Sequence, residues 1–257
     1  MEPSAEAPAP PAAAPATVPP ETPPVTPAPQ PAPAAGTPPP VYPTEPPLNR
    51  TLDYRVVRGP ASGLGQLRWE ATPSAYTLSL QASVAGGPVL DWTSTGGFDS
   101  AGLAPQRMVE RQREREVHAV NFQRDKQLIS FSGPSRVEPL LRGAQDRLSW
   151  LIQLAAVVQA QRATLKEGDT LRFQVASPRG DVDEWVFTLM GIAPLEVAGM
   201  RWGALKLVRE PQRPYDQRVE VWLAPVASYL PLALTLTTVP GGVPLELWLT
   251  GGLRIDL

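Results

Sequence analysis

The chain has 257 residues, a formal net charge of −2, 33 prolines, 20 glycines and no cysteine. This length fits one or two domains, and the lack of cysteine excludes disulfides, thiolate metal sites and a cysteine nucleophile. The near-zero net charge argues against a nucleic-acid partner, and no run of about 18 uninterrupted apolar residues predicts a membrane-spanning helix.

The first 48 residues have a composition of their own. Nineteen prolines precede Leu48, together with four glutamates and no basic residue. Proline lacks an amide donor and fixes φ, so this stretch cannot build a helix or a sheet, and it has too little apolar bulk for a core. We predict that residues 1–48 form a disordered, partly polyproline II spacer. Three roles are open: a tether across a gap, a low-complexity tail without a selected role, or a ligand for proline-binding modules.

The start of the chain carries no visible secretion signal. Glu2 and Glu6 stand where a basic region is expected, and no apolar segment follows them. Taken literally, this predicts a cytoplasmic protein. A spacer with nothing in front of it is unusual, which leaves open that a signal or an anchor lies upstream of Met1.

From residue 49 onward, apolar residues alternate with polar ones, and glycine- and proline-rich turns separate the runs. Such short runs predict a β-rich domain of about a dozen mostly antiparallel strands over residues 49–257. The alternating sets include Leu52, Tyr54 and Val56; Tyr76, Leu78 and Leu80; Leu171, Phe173 and Val175; Val219, Val221 and Leu223; and Leu232, Leu234 and Leu236.

The run Arg107–His118 is dense in charge. As a helix it would place like charges four residues apart at Arg111 and Arg115, which opposes helix formation. We therefore predict one strand in which Arg107, Arg111, Arg113 and Arg115 share a face. Such a strand would either resist edge-to-edge aggregation or meet an anionic surface, with Arg111, Arg113 and Arg115 as the contact residues.

The segment 145–162 breaks the alternation and predicts one central helix. Its apolar residues recur at three and four positions, and Asp146 is suited to cap its start. Because the helix is apolar on most of its circumference, it should be buried on more than one side. We predict a curved antiparallel sheet, or unclosed β-barrel, that wraps this helix.

Seven tryptophans are spread along the chain, and aromatic residues of this kind mostly fill cores. The alternative is a partly open apolar cavity for an acyl chain or a lipidated partner. The residues predicted to line it are Trp150, Leu151, Leu154, Trp185, Trp222 and Tyr229.

His118 is the only histidine, so a serine–histidine–acid triad would have to use it. The chain has no Gly-x-Ser-x-Gly elbow, and a hydrolase built on His118 is the least favoured hypothesis. One histidine and no cysteine also leave zinc short of its usual ligands. We predict no catalytic residue, no metal site and no cofactor.

Several short motifs resemble the bacterial domain of unknown function 3108 family over Tyr54–Leu249. The motifs are Gly63-x-Gly65 before the Leu67/Trp69 strand; the Tyr76 strand; Gly102-Leu103-x-Pro105; Gln145-Asp146-Arg147-Leu148-Ser149; and Trp222-Leu223-Ala224-Pro225 followed by Tyr229-Leu230-Pro231. Their order and spacing together carry the resemblance. It implies a half-barrel similar to the lipoprotein carriers LolA and LolB, with a helix in its mouth, and a periplasmic or envelope location. The family offers no catalytic residues to transfer.

These observations lead to two principal hypotheses. The first is a non-enzymatic envelope protein that binds an apolar or lipidated ligand, such as a lipid or a lipoprotein, on the concave face of the sheet. The second is a scaffold that contacts an envelope protein or an anionic wall polymer through the strand Arg107–Arg115. The sequence leaves the ligand, the pathway and the oligomeric state open.

Overall fold

Alternating side chains decide the architecture from Arg50 onward. In the computed structural model, which describes residues 37–253, the alternating runs are extended strands. Leu52, Tyr54 and Val56 are buried in the first of them, whereas Asp53 and Arg55 are exposed. Because successive side chains of a strand point to opposite faces, repetition of this pattern gives the sheet one apolar face and one polar face.

The described residues form fifteen strands, one α-helix and a short 3₁₀ helix at Pro225–Ala227. The strands are β1 Arg50–Arg58, β2 Ala61–Ala71, β3 Tyr76–Val84, β4 Gly87–Asp99, β5 Gly102–Gln112, β6 Arg115–Gln123, β7 Leu128–Phe131, β8 Val137–Pro139, β9 Gln145–Asp146, β10 Thr170–Ala176, β11 Val182–Val197, β12 Met200–Arg209, β13 Asp216–Ala224, β14 Leu230–Val239 and β15 Leu245–Gly251. Helix α1 spans Ser149–Gln161.

All fifteen strands belong to one sheet, in the order β8-β7-β6-β5-β4-β3-β2-β1-β15-β14-β13-β12-β11-β10-β9. The pairings are antiparallel except for the short parallel pair β9–β10. The first and last strands meet in the middle of the sheet, where Tyr54 lies opposite Leu249. The sheet is therefore mainly antiparallel and strongly curved, and it is not closed into a barrel, because β8 and β9 remain as its edges. This confirms the predicted fold class.

Side chains, rather than strand pairing, bridge the gap between the two edges. Gln174 of β10 accepts a hydrogen bond from the amide of Leu141 at 3.0 Å and donates one to the carbonyl of Pro139 at 3.0 Å. Gln145 of β9 donates to the carbonyl of Leu103 in β5 at 2.9 Å. We call this line of contacts the seam.

Helix α1 fills the concave face of the sheet. Its first ten residues are all buried, and it packs against β5, β9, β10 and β14. Gln153, a polar residue among them, donates to the carbonyl of Ala101 at 2.7 Å and accepts from the amide of Leu103 at 2.9 Å. The burial predicted from the apolar circumference is therefore confirmed, and the buried Gln153 amide forms hydrogen bonds through both its oxygen and its nitrogen, to β5 and to the turn before it.

The helix begins four residues later than the predicted start at Gln145. Gln145 and Asp146 pair with β10 as strand β9. The Asp146 carboxylate then accepts the amides of Leu148 at 2.8 Å and Ser149 at 2.7 Å, and the Ser149 hydroxyl accepts the amide of Asp146 at 2.9 Å. This reciprocal pair closes the turn just before the helix, and the Asp146 carboxylate satisfies the amide of Ser149, the first residue of α1. The N-cap residue, Leu148, makes no side-chain capping hydrogen bond.

The last part of the predicted spacer lies against the sheet and the helix. We call residues 38–48 the strap. The Tyr42 ring packs 5.6 Å from that of Phe173, the Glu45 amide donates to the carbonyl of Ala156 at 2.9 Å, and the buried Pro47 accepts from Trp69 Nε1 at 2.9 Å. The strap thus crosses the C-terminal half of α1. Residues 1–36, for which we predict disorder, lie outside the described residues.

Candidate functional site

Four of the six residues predicted to line an apolar cavity come together as packing between α1 and the sheet. Trp150, Leu151, Leu154 and Trp185 are all buried. The Trp150 ring stacks on Phe187 at 4.9 Å and lies 5.6 Å from Trp185. The enclosed space beside them measures about 10 Å³, which is at the lower limit for one water molecule. These side chains fill the concave face and leave no room there for an acyl chain.

The other two predicted cavity residues lie elsewhere, so their placement with the first four is wrong. Trp222 stands on the convex face between the inward-facing Val221 and Leu223, with its ring 6.0 Å from that of Trp248. Tyr229 lies in the turn before β14 and is half-buried. The period-two pattern of β13 already placed residues 221 and 223 inward, and it is the signal that would have placed Trp222 outside.

The predicted strand Arg107–His118 is a hairpin. β5 ends at Gln112 and β6 begins at Arg115, while Arg113 and Glu114 have φ angles of 50° and 66°. Such left-handed pairs make the tight turns of antiparallel hairpins, and the sequence lacks the glycine or asparagine that usually marks them. The prediction that these arginines share one face of a single strand is therefore wrong, because the turn at Arg113 and Glu114 reverses the direction of the chain.

The arginines of this hairpin have separate surroundings. Arg107 donates to Glu116 and Asn121 across the two strands. Arg111 donates to the hydroxyl of Thr93 at 2.9 Å. Arg113 and Arg115 are exposed at the hairpin tip. Contact of Arg111, Arg113 and Arg115 with an anionic surface stays a prediction. The single strand face on which that prediction was based is not present.

His118 lies opposite Glu110 across the β5–β6 pair. The Glu110 carboxylate is held by Arg179, with Nη2 to Oε1 at 2.6 Å and Nε to Oε2 at 3.0 Å. These hydrogen bonds, outweighing partial burial, lower the pKa of Glu110. In the part of the chain that the structure describes, no hydrogen bond joins His118 to a serine or a carboxylate, so the geometry assembles no triad there.

The opening of the half-barrel lies where β1, β5, β10 and β14 end, at the opposite end of α1 from the strap. We call this opening the mouth. It is a pocket of about 310 Å³ whose apolar wall includes Leu90, Trp92, Leu236, Val243 and Leu245. This volume is at the lower end of the range for small-molecule sites. The rest of the lining is polar and charged, and it includes Arg58, Glu110, Arg147, Arg179 and Asp181.

Arg147 lies between the mouth and the core beneath it. Its Nη2 donates to Gln217 Oε1 at 2.5 Å, and its guanidinium lies 4.9 Å from the centre of the Trp185 ring. Burial, together with repulsion from the neighbouring Arg209, lowers the pKa of Arg147 to about 10. Among residues 37–253, no carboxylate lies within ion-pair distance of Arg147. It is a half-buried cation whose polar partner is a neutral amide.

Two further arginines stand around the same pocket. Arg58 is exposed at the end of β1, and Arg179 is bound to Glu110 in a bidentate pair. Asp181 also lines the mouth, and its side chain accepts no hydrogen bond from the described residues. Arg147 was named from the sequence only as part of a family motif and was not predicted as a site residue. The available signal was a lone arginine at the start of a segment that had to be buried.

Fold and mouth together define a class: a curved-sheet, barrel-like protein filled by its own helix, with a cationic pocket at one end. The chain belongs to the family described as "Protein of unknown function (DUF3108)", whose sequence model matches residues 51–247. This confirms the resemblance found in the sequence motifs, although the likeness to lipoprotein carriers stays an expectation.

A solved structure supports the same architecture. The chain is similar to a "beta-barrel-like protein of domain of unknown function DUF1849" from Brucella abortus, with a TM-score of 0.54 and 12% identity over 83% of this chain and all of that chain. At this identity the likeness shows the fold alone. No curated protein matches the chain. Within residues 37–253, no helix is both long enough and apolar enough to cross a membrane.

Proposed function

We propose that this is a non-enzymatic binding protein of the bacterial cell envelope, and that its mouth holds the apolar part of a small amphipathic ligand. The observation that carries the proposal is the pocket at the mouth, where the helix leaves part of the apolar face uncovered. It moves the predicted ligand from the middle of the concave face, which α1 fills, to the open end.

The apolar wall of the mouth supports this role. Val243 is 55% exposed although it lines the same pocket as the buried Leu236 and the partly buried Leu245. An exposed valine continuous with a core is a surface that a ligand can cover, with a gain of about 1.5 kcal/mol for a side chain fully removed from water. The proline-rich composition of residues 1–36 suits a tether between this domain and an envelope surface.

Binding of a neutral apolar probe tests the proposal. The full chain is titrated with N-phenyl-1-naphthylamine, whose fluorescence rises in apolar surroundings. We expect saturable binding that weakens about tenfold in Val243→Glu, because the charge removes one apolar contact and stays hydrated in the pocket.

Ile192→Glu is the matched control, since Ile192 is 61% exposed on β11 and does not line the mouth. We expect this variant to bind the probe as the unchanged protein does. Equal losses in the two variants, or no probe binding by the unchanged protein, would show that the mouth is not an apolar binding site.

A further inference from the structure

We infer that the mouth is selective for amphiphiles with a singly charged oxyanion head group, and that Arg147 receives this head group. The inference rests on the proposed function, because it names the polar half of the ligand whose apolar half the mouth would hold. A carboxylate on a short alkyl chain is the simplest member of this class.

The hydrogen-bonding state of Arg147 is the first argument. A guanidinium carries five N–H donors, and among residues 37–253 the side-chain hydrogen bond of Arg147 is the one from Nη2 to Gln217. Nε and Nη1 have no hydrogen-bond partner among these residues and are not fully buried, so both keep some exposure in a side chain that lines the pocket. Planar, forked donors of this kind match the two oxygens of a carboxylate.

Two acidic residues near Arg147 are already engaged in ion pairs with other arginines. Arg209, which also lies over the Trp185 ring at 4.4 Å, is bound to Asp216 at 2.8 Å. The second acid beside the pocket, Glu110, is held by both nitrogens of the Arg179 fork. Because these two pairs neutralise themselves, neither Asp216 nor Glu110 is available to Arg147.

The remaining charges set the valence of the head group. Around the mouth, Arg58 and Arg147 have no ion pair among the described residues, and Asp181 is the acid left without one. The pocket therefore carries one net positive charge once the Arg179–Glu110 pair is counted as neutral. Charge complementarity favours a monoanion over a dianion, a neutral head group or a cation.

The position of the cation completes the match to an amphiphile. Arg147 lines both the mouth and the small enclosed space beneath it, whereas Val243 is 55% exposed at the mouth, with the half-buried Leu90 and Leu245 in the same lining. A head group on Arg147 would therefore leave the chain of the ligand along these apolar side chains. Water is partly excluded at this depth, which strengthens a charge-assisted hydrogen bond relative to one on an exposed arginine.

Three twelve-carbon amphiphiles test the inference by displacement of N-phenyl-1-naphthylamine from the full chain: dodecanoate, dodecanol and dodecyltrimethylammonium. We expect dodecanoate to bind at least about tenfold more tightly than dodecanol, and the cation to bind most weakly. Raising the salt concentration should weaken dodecanoate and leave dodecanol unchanged.

Variants assign the preference to Arg147. In Arg147→Gln the preference for dodecanoate over dodecanol should fall to about one, while dodecanol affinity stays the same. Arg147→Lys keeps the charge and should restore part of the preference. Arg58→Gln changes an exposed side chain and should reduce the preference severalfold, and Arg68→Gln, which is exposed on β2 at a distance from the mouth, should have no effect.

The outcomes separate the two proposals. Equal affinity of the unchanged protein for dodecanoate and dodecanol overturns the anionic head group and leaves the apolar mouth standing. A preference that survives in Arg147→Gln overturns the role of Arg147. Failure of all three amphiphiles and of the probe to bind overturns the proposed function itself.

Discussion

Arg209 is an arginine with 1% of its side chain exposed, and its charge is held by a single carboxylate. Nη2 lies 2.8 Å from Asp216 Oδ2, and the guanidinium also covers the Trp185 ring. Burial raises the pKa of Asp216, but the hydrogen bonds from Arg209 and from the amides of Gln212 and Gln217 outweigh burial, so the net shift is downward. Asp216 thus keeps a buried cation compensated just behind the mouth.

Replacing Asp216 tests this pair. Asp216→Asn should lower the free energy of unfolding by about 3 kcal/mol at pH 7, because it leaves Arg209 buried without a counter-charge. Since the folded state lowers this pKa, the contribution of the pair is complete above the ordinary value of 3.8 and is lost as pH falls through the folded pKa.

Urea unfolding of both proteins between pH 2 and pH 8 measures the effect. The difference between them should be constant down to about pH 4 and should narrow below it. Glu210→Gln breaks an exposed pair with Arg218 and should change stability by less than about 0.5 kcal/mol. If the difference in unfolding free energy between the unchanged protein and Asp216→Asn does not vary with pH, the pKa of Asp216 is not lowered in the folded state.

Among the elements, α1 and the strap show which features the local sequence pattern predicts and which it does not. The helix was predicted because an apolar circumference has one physical solution, burial on several sides. Its start was predicted too early, because the pairing of Gln145 with β10 depends on contacts 30 residues away in the chain. The strap was missed because proline-rich composition describes an unfolded chain equally well, and its contacts to Phe173 and Ala156 arise only after the sheet has formed.

The β5–β6 hairpin was missed for a different reason. Arg113 and Glu114 adopt left-handed backbone conformations that charged residues rarely take, so no turn signal was present. Trp150 and Trp185 were predicted as candidates for lining an open cavity, whereas the structure packs both of them in the core. Trp222 was grouped with them, although the alternation along β13 places it on the other face of the sheet. The mouth could not be predicted, because it is formed by the ends of strands that are distant in sequence.

Tyr42 is the residue with which the strap can be tested as an element. Its hydroxyl accepts the amide of Arg172 at 2.9 Å and its ring packs on Phe173. Tyr42→Ala should lower the free energy of unfolding by about 2 kcal/mol, because both the aromatic contact and the hydrogen bond are lost.

Tyr215→Ala is the matched control, because that side chain is 79% exposed, and it should shift stability by less than about 0.5 kcal/mol. Chemical denaturation of the full chain measures both variants. If the two substitutions have equal effects, the strap does not contribute to the stability of the domain.

At the scale of the whole molecule, the seam is the place where the sheet is weakest. The middle of the sheet is joined by continuous backbone ladders such as β1–β2 and β1–β15. The seam is joined by side chains such as Gln174 and Gln145 instead. Regions with few backbone ladders open with lower free energies than the core of a sheet.

Native-state hydrogen exchange should reveal this difference. We expect the amides of β8 and β9 to exchange through local opening, well before those of β1 and β15, which should require near-global unfolding. Gln174→Ala should speed exchange in β8 and β9 and leave β1 and β15 unchanged. Uniform protection across the sheet would mean that the seam is as strong as a paired ladder.

The pairing of β1 with β15 also governs how a newly synthesised chain reaches this fold. Every other ladder joins consecutive strands, so the strands up to β8 can pair as soon as they leave the ribosome. Until β15 has been synthesised, one backbone edge of β1 stays unpaired, because Tyr54 pairs with Leu249 of β15. A chain that stops before Leu245 never covers this edge, and unpaired edges recruit other molecules. Truncation at the carboxyl end is therefore more hazardous for solubility than its small loss of mass suggests.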